Sequence, residues 1–524
     1  VILFHPKEGL FMRPNVLWIM SDQHNANCTG YAGHPNVRTP HLDRIAARGV
    51  NFTNAFSNNP ICSPSRISFI TGQYCHTHQF LGNDNSEYSE PNPDTLACQF
   101  RRYGYQTAIT GKSHMIRRWD SDGFEFIRYT DLADATALDP EDTHYFKYLV
   151  EHDLADLYED GTPKAGQDYT LDGSAPAMLP YEHSIEHYTG SQTLAFLEDR
   201  DENRPFFIQM SFQRPHSPIA PAREHFDMYD PDEMVLPESA FDYFENQFAG
   251  KPAFMQEMLA EPRLYPLADP DPDRLRRVLA SYYALITAID SEIGRVLDWL
   301  AEAGELENTI ILYTADHGDF AGEHGLFHKN LGIYESIHRI PFVLSWPGGP
   351  RGEACDEIVE SVDWYPTICG LCDVPVPEGR EGVDLVPIAA GQVPGKEAAF
   401  SEWHWMNPRG KISAVRTDNF RLVFYEGTEE GELYDRRNDP GETRNLWDDP
   451  DYAPQKTHLL ERLFRFTLGY ATKTSLARDR KLGHQKRYSP TTLLHKRRRY
   501  WSGLLDAYES ETVWPPVPGD NETT

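Results

Sequence analysis

Five short apolar runs punctuate the chain: Asn15-Val-Leu-Trp-Ile-Met20, Gln106–Thr110, Pro205–Ser211, Thr309–Thr314 and Pro341–Ser345. Unbroken apolarity over so few residues predicts strands buried on both faces. Between the runs the period becomes that of a helix. Thr39–Gly49 carries Leu42, Ile45 and Ala46 on one side, with Gly49 as a stop signal. Arg277–Gly304 is the clearest helix, with Leu279, Tyr282, Leu285, Ile286, Ile289, Ile293, Val296 and Leu300 on one face. Strands alternating with helices predict an α/β fold, a large mixed and mostly parallel sheet sandwiched by helices. Past Val374–Gly379 the pattern shortens to Ile412–Arg416, Phe420–Tyr425 and Glu432-Leu-Tyr-Asp435, then the turn Asn438-Asp-Pro-Gly441. That reads as a smaller C-terminal domain with an antiparallel sheet. The expected domains are 12–390, 391–470 and a tail, 471–524. The Asp-, Glu-, Pro- and Tyr-rich segments 121–180 and 225–275 read as insertions over the sheet edge that shape a substrate mouth.

The architecture says where to look for chemistry. In open parallel sheets ligands bind beyond the carboxyl ends of the strands. The residues just after the runs are Asp22, Lys112 with His114, His216, and Asp316 with His317. All are polar, an alignment that scattered core residues would not show.

Composition narrows the partners. The chain has 524 residues and a formal net charge of -31. Such acidity argues against a nucleic-acid partner, although local cations can still build an anion site. No stretch is long and apolar enough to predict a membrane span. Val1–Phe11 lacks an apolar run followed by a small-residue cleavage site, so no signal peptide and a cytoplasmic location are expected. Seven cysteines do not make a disulfide framework. Cys369 and Cys372 form a C-x-x-C without a second zinc-spaced pair, and read as two buried thiols on a helix over Val362–Leu371. The segment from Lys473 to Arg499 holds ten Lys/Arg against one acid, Asp479. With Leu493, Leu494, Tyr500, Trp501, Leu504 and Leu505 as apolar anchors, it is expected to dock on an acidic surface of its own chain or a second subunit, in a homodimer or larger homo-oligomer.

The most informative stretch is Cys62-Ser-Pro-Ser-Arg66, continuing to Thr71-Gly72. Pro64 fixes a turn and a helix can start from Ser65. Cys62 then sits at or just before a helix N-terminus, where backbone N–H groups favour an anion. Arg66 offers a planar fork suited to sulfate or phosphate oxygens.

These residues resemble the signature of the type I sulfatases, within the alkaline phosphatase superfamily. The resemblance runs in matching order through Asn15–Asp22, Thr39-Pro-His-Leu-Asp43, Gly111-Lys-Ser-His114, Pro215-His-Ser-Pro218, Asp316-His-Gly318, Gly325-Leu-Phe-His-Lys329, Arg339-Ile-Pro341, Leu433-Tyr-Asp435 and Asn438-Asp-Pro-Gly-Glu442, over about residues 14–446. It implies an alkaline-phosphatase-like fold and conversion of Cys62 to formylglycine by a maturation enzyme. One hydroxyl of the hydrated aldehyde would attack sulfur and displace the alcohol; the other would lose its proton and expel sulfate.

The resemblance also implies the site. Asp22, Asp316, His317 and the modified residue 62 would hold one divalent metal. Many sulfatases carry a second acid and an Asp-Asn pair where this chain has Gln23 and His317, which leaves Ca²⁺ and Mn²⁺ both open. Lys112 and Lys329 would bind the anion and offset charge on the leaving oxygen. His216 is the candidate general acid, helped by Lys329, and His114 the candidate base for sulfate expulsion. Asn83 and Gln23 are weaker substrate-binding candidates; Asp319, Glu323, His324 and His328 are expected in supporting positions. The expected activity is hydrolysis of a small-molecule sulfate ester. The alternative is a phosphonate monoester or phosphodiester attacked by the same nucleophile, and a non-catalytic module is the third reading.

Overall fold

The central strand β1 (Asn15–Asp22) is buried along its whole length, because helices cover both faces of its sheet. Val16, Trp18 and Met20 pack with Phe69, Ile70, Phe100 and Trp364 on one side. Leu17 and Ile19 pack with Leu42, Ile45, Ile289, Ile293 and Val296 on the other. Each fully buried large side chain contributes about 1.5–3 kcal/mol, and the two-residue alternation sends successive side chains into two separate cores. The computed structural model describes residues 13–83, 94–114, 122–131, 143–158, 174–246, 249–253, 255–256, 271–329, 332–404 and 411–481, with 243–244, 404 and 470–481 as backbone.

Among these residues the large sheet is completed by β2 (Val50–Phe56), β3 (Gln106–Gly111), β4 (Phe126–Tyr129), β5 (Phe206–Pro215), β6 (Thr309–Ala315), β7 (Phe342–Ser345) and β8 (Glu353–Glu360). The order is β4-β3-β5-β1-β6-β7-β2-β8. Neighbours run parallel except at β7, which is antiparallel to β6 and β2. The mixed, mostly parallel sheet expected from the apolar runs is therefore present. Strands β2, β4 and β8 lack a continuous apolar run: β4 is half-buried throughout and β8 begins with exposed residues.

Register brings the functional ends together. Ser21 lies opposite Ala315 of β6 and Phe212 of β5, Asp22 opposite Pro215, and Gly111 of β3 opposite Ser211. The residues following β1, β3, β5 and β6 thus share one edge. The antiparallel β7 adds a second device. An antiparallel neighbour can be joined without a crossover, so the connection 316–341 leaves β6 and enters β7 at that same edge.

The smaller sheet consists of β9 (Ala399–His404), β10 (Lys411–Arg416), β11 (Phe420–Tyr425) and β12 (Gly431–Asp435), all antiparallel, in the order β12-β11-β10-β9. One face, with Trp403, Ile412, Val423 and Tyr434, packs against Phe320, Leu326, Tyr334 and Ile337 of the 316–341 connection. The other packs Val415, Leu422 and Leu433 against Leu459 and Leu463 of the helix Ala453–Lys481. The chain divides into two compact units, Val1–Tyr470 and Ala471–Thr524; both sheets belong to the first. The tail anchors Leu493 to Leu505 lie outside the described residues.

Three expected helices are present with adjusted ends: Pro40–Arg48, Pro272–Glu302 and Trp364–Leu371. The last carries Cys369 and brings Cys372 to its end; both thiols are buried and free. No helix among the described residues is long and apolar enough to cross a membrane.

Candidate active site

The helix Cys62–Thr71 begins at the cysteine, with extended Ile61 as its N-cap and left-handed Gly72 (φ 63°) as its stop. Every residue in it is buried, so it lacks the amphipathic stripe of a surface helix. Ser65 Oγ donates to the Asp316 carbonyl at 2.5 Å, tying the helix start to the end of β6. Cys62 Sγ stands where an oxygen of a formylglycine, bonded to the former Cβ, would be. It lies 3.2 Å from His317 Nε2, 3.2 Å from Lys329 Nζ and 3.5 Å from Asp22 Oδ1.

Asp22, Cys62, Asp316 and His317 are buried and bring one ligand atom each within 4.8 Å of one another. Donors at ~2.0–2.6 Å from a common ion are separated by no more than about 5 Å, so the cluster has the size of a divalent-metal site. Two carboxylates and an imidazole can serve as ligands of a divalent ion. His317 Nδ1 is 2.9 Å from the Gly318 carbonyl, which directs Nε2 toward the cluster. Gly318 allows the close turn: a Cβ there would lie 1.9 Å from the Ser336 carbonyl oxygen.

Cations surround this centre. Lys112 Nζ contacts Asp22 Oδ2. Lys329 Nζ donates to Gln23 Oε1 at 2.7 Å. Burial alone would raise the Asp22 carboxyl; Lys112, His216, Lys329 and His317 instead hold it well below the usual range. Burial and Asp22 push the Cys62 thiol up, but Lys112, Lys329 and His317 bring it down to about 6. Burial, then Lys329, drives His216 well below the ordinary histidine range. His317 goes the other way, because Asp316 and Cys62 outweigh burial and Lys329.

Arg66 is held in place by the protein's own acceptors. Its guanidinium has no exposed surface, and Nε donates to Asp316 Oδ2 at 2.7 Å while Nη1 donates to the Lys112 carbonyl (3.0 Å) and Ser211 Oγ (2.8 Å). These bonds anchor Arg66 to Asp316, Lys112 and Ser211, while its buried Nη2 has no hydrogen-bond partner among the described residues.

The other predicted residues are placed as follows. His216 follows β5; its backbone N–H donates to the Asp22 carbonyl (3.2 Å) and its Nδ1 lies 2.9 Å from the Ser217 carbonyl. Asn83 Oδ1 accepts from the Ser63 N–H at 3.1 Å, beside Cys62. His114 is buried in a turn with φ 49°, and Asp131 holds that turn by accepting from Ser113 N–H (3.1 Å) and His114 N–H (2.7 Å). Gly111 precedes it with φ 99°, where a Cβ would collide with the Ser211 carbonyl oxygen.

Comparison with known proteins places this constellation. The sulfatase family model matches residues 14–374, and a model described as N-sulphoglucosamine sulphohydrolase, C-terminal, matches 322–468. The chain belongs to the sulfatase family. It is 30% identical to an arylsulfatase of Clostridium perfringens over 87% of this chain and 94% of that one. It is 27% identical to an N-acetylglucosamine-6-O-sulfatase of Bacteroides thetaiotaomicron over 88% of this chain and 87% of that one. Its fold is similar to that of a phosphonate monoester hydrolase of Agrobacterium radiobacter (TM-score 0.73, 24% identity, 87% and 96% covered). This sulfatase is accordingly a sulfuric ester hydrolase of alkaline-phosphatase-like fold, from a family that generally uses a metal ion and a cysteine-derived formylglycine.

Sequence reasoning missed two supports of the sulfatase site, Asp131 and Ser211. Asp131 was findable, because it lies just past the end of β4 as Asp22 lies at the end of β1, but that strand lay inside a segment read as an insertion. Ser211 carried no signal, since it sits within an apolar run and meets Arg66 only through sheet register.

Proposed function

We propose that this sulfatase cleaves sulfate monoesters with residue 62 as nucleophile, after a formylglycine-generating maturation enzyme has converted the Cys62 thiol. The observation that carries the proposal is the position of Cys62 Sγ, 3.2 Å from both an ammonium and an imidazole nitrogen at the start of a buried helix. Asp22, Asp316, His317 and residue 62 would hold one Ca²⁺ or Mn²⁺, which supplies positive charge that lowers the nucleophile's pKa and clamps an ester oxygen. Lys112 and Lys329 bind the tetrahedral anion, and Lys329 meets the departing oxygen. His216 delivers a proton to that oxygen. Burial and Lys329 keep its imidazole neutral in the free enzyme; a bound anion offsets Lys329 and lets His216 carry the proton. His114 takes up the proton released when sulfate leaves. Gln23 and Asn83 orient the ester.

The test is sulfate release from aryl and sugar sulfates, paired with the mass of the peptide containing residue 62. Release by protein carrying an aldehyde there supports the proposal; turnover by protein with an intact thiol defeats it. A second reading follows from charge. Phosphonate monoesters and phosphodiesters are tetrahedral monoanions like sulfate monoesters, and the same two ammoniums can bind them. Side-by-side kcat/KM on an aryl sulfate and an aryl phosphonate ester ranks the two.

A further inference from the structure

We infer that Asp319 is a positioning residue for the reaction: acting through the Gln23 side-chain amide, it sets the direction of the Lys329 ammonium at the nucleophile. The inference rests on the reading that Lys329 meets the departing oxygen. A lysine side chain is a flexible stem with three donors, so its location on a loop does not by itself aim its charge.

Asp319 has no exposed surface. Its Oδ1 accepts from the Ala321 N–H at 2.7 Å, and both its oxygens lie 3.1 Å from the His328 nitrogen. Its Oδ2 accepts from Gln23 Nε2 at 2.6 Å. These bonds join the turn after β1 to the loop after β6.

The Gln23 amide has one orientation that satisfies its neighbours. An ammonium only donates, so the amide oxygen must face Lys329 Nζ, at 2.7 Å. The Asp319 carboxylate only accepts, so the NH₂ group must face it. The second amide hydrogen is then available to His328 Nδ1, at 2.8 Å, which must be an acceptor with its proton on Nε2. The chain carboxylate–amide–ammonium therefore runs in one sense only. Reversing the amide would put its NH₂ against Lys329 and turn the ammonium away from residue 62.

The test is Asp319→Asn in the full-length, formylglycine-bearing enzyme. The asparagine oxygen can keep the two backbone donors, while its NH₂ opposes that of Gln23 and forces the amide round. Aryl sulfates with phenols of graded acidity provide the readout. The expected loss in kcat is about tenfold for the most acidic phenol and grows to about 10²-fold for the least acidic, with KM nearly constant and an unchanged melting temperature. Gln23→Leu, which leaves the backbone bonds of Asp319 intact, should show the same trend. Pairing Asp319→Asn with Gln23→Glu restores donor and acceptor in swapped order and should recover about tenfold over Asp319→Asn alone. A loss uniform across the phenols, or a double variant as poor as the product of the singles, overturns the inference. Wild-type enzyme that releases no sulfate from any ester would remove the underlying reading as well, a result distinct from either.

Discussion

Among the buried nests of charge in the described residues, two invite comparison, and the first surrounds Cys62. In the first, Asp22 and Asp316 meet Lys112, Lys329, Arg66 and His317 around Cys62. In the second, Glu335 contacts Arg421, Arg416 (3.0 Å), Arg436 (3.4 Å) and Arg339 (3.8 Å), and Glu442 binds Arg421 at 2.5 Å. Both hold a carboxyl well below its usual range against the pull of burial, Asp22 through Lys112 and its other cations, Glu335 chiefly through Arg416 and Arg436. The difference lies in the cations. The second nest uses arginine forks, which grip carboxylates and join the 316–341 connection to β10 and β11. The first keeps two lysines, point charges that can follow a moving oxygen, and its one arginine binds Asp316 through Nε. A buried ion cluster alone does not mark an active site; mobile charge aimed at a nucleophile does.

The comparison can be broken in a graded way. Cys62→Ala should have the largest effect, abolishing sulfate release by more than about 10⁴-fold while circular dichroism and melting temperature stay near wild type. Glu335→Gln should do the reverse: a loss of about 3–5 kcal/mol in urea unfolding, because several guanidiniums lose their counter-charge in a buried place, with kcat per folded molecule within a few-fold of wild type. If it inactivated the enzyme without destabilising it, the two nests would not be separable. Lys112→Ala should cost about 10²–10³-fold in kcat/KM on an aryl sulfate. A subtler contrast lies in pH. The Glu335 contribution to stability is complete above the ordinary glutamate range and disappears as pH falls below it through the lower folded-state value, because the folded protein holds that proton less tightly than the unfolded chain. Wild-type melting temperature should therefore fall more steeply on acidification than that of Glu335→Gln. The smallest effect is expected for Cys369→Ser with Cys372→Ser, about 1 kcal/mol each in stability and no change in turnover, since both thiols only fill the core.

The chemistry was more legible in the chain than its supports. Asp22, Lys112, His216 and Asp316 announced themselves by ending apolar runs, because parallel strands buried on both faces leave a sharp polarity step where they emerge. For Arg66, motif spacing shows that a guanidinium is near but not that its Nε binds Asp316 while its Nη2 is left without a partner among the described residues. The reversal of β7 is invisible in a run as short as Pro341–Ser345, which reads the same in either direction. Glu335 and Arg421 carried no signal, being 86 residues apart and joined only by the docking of the smaller sheet.

The long reach of the site also sets a clock. Residue 62 and Lys329 are 267 positions apart, and Asp22 and His317 are similarly remote. A ribosome adding about 5–20 residues per second needs roughly 15–50 s to cover that span. Throughout that interval the nascent cysteine lacks the partners that later bury it to 1% exposure. On the proposed function a maturation enzyme would thus meet an open peptide early and a sealed pocket late, and competition between modification and folding would decide what fraction of molecules ever becomes active.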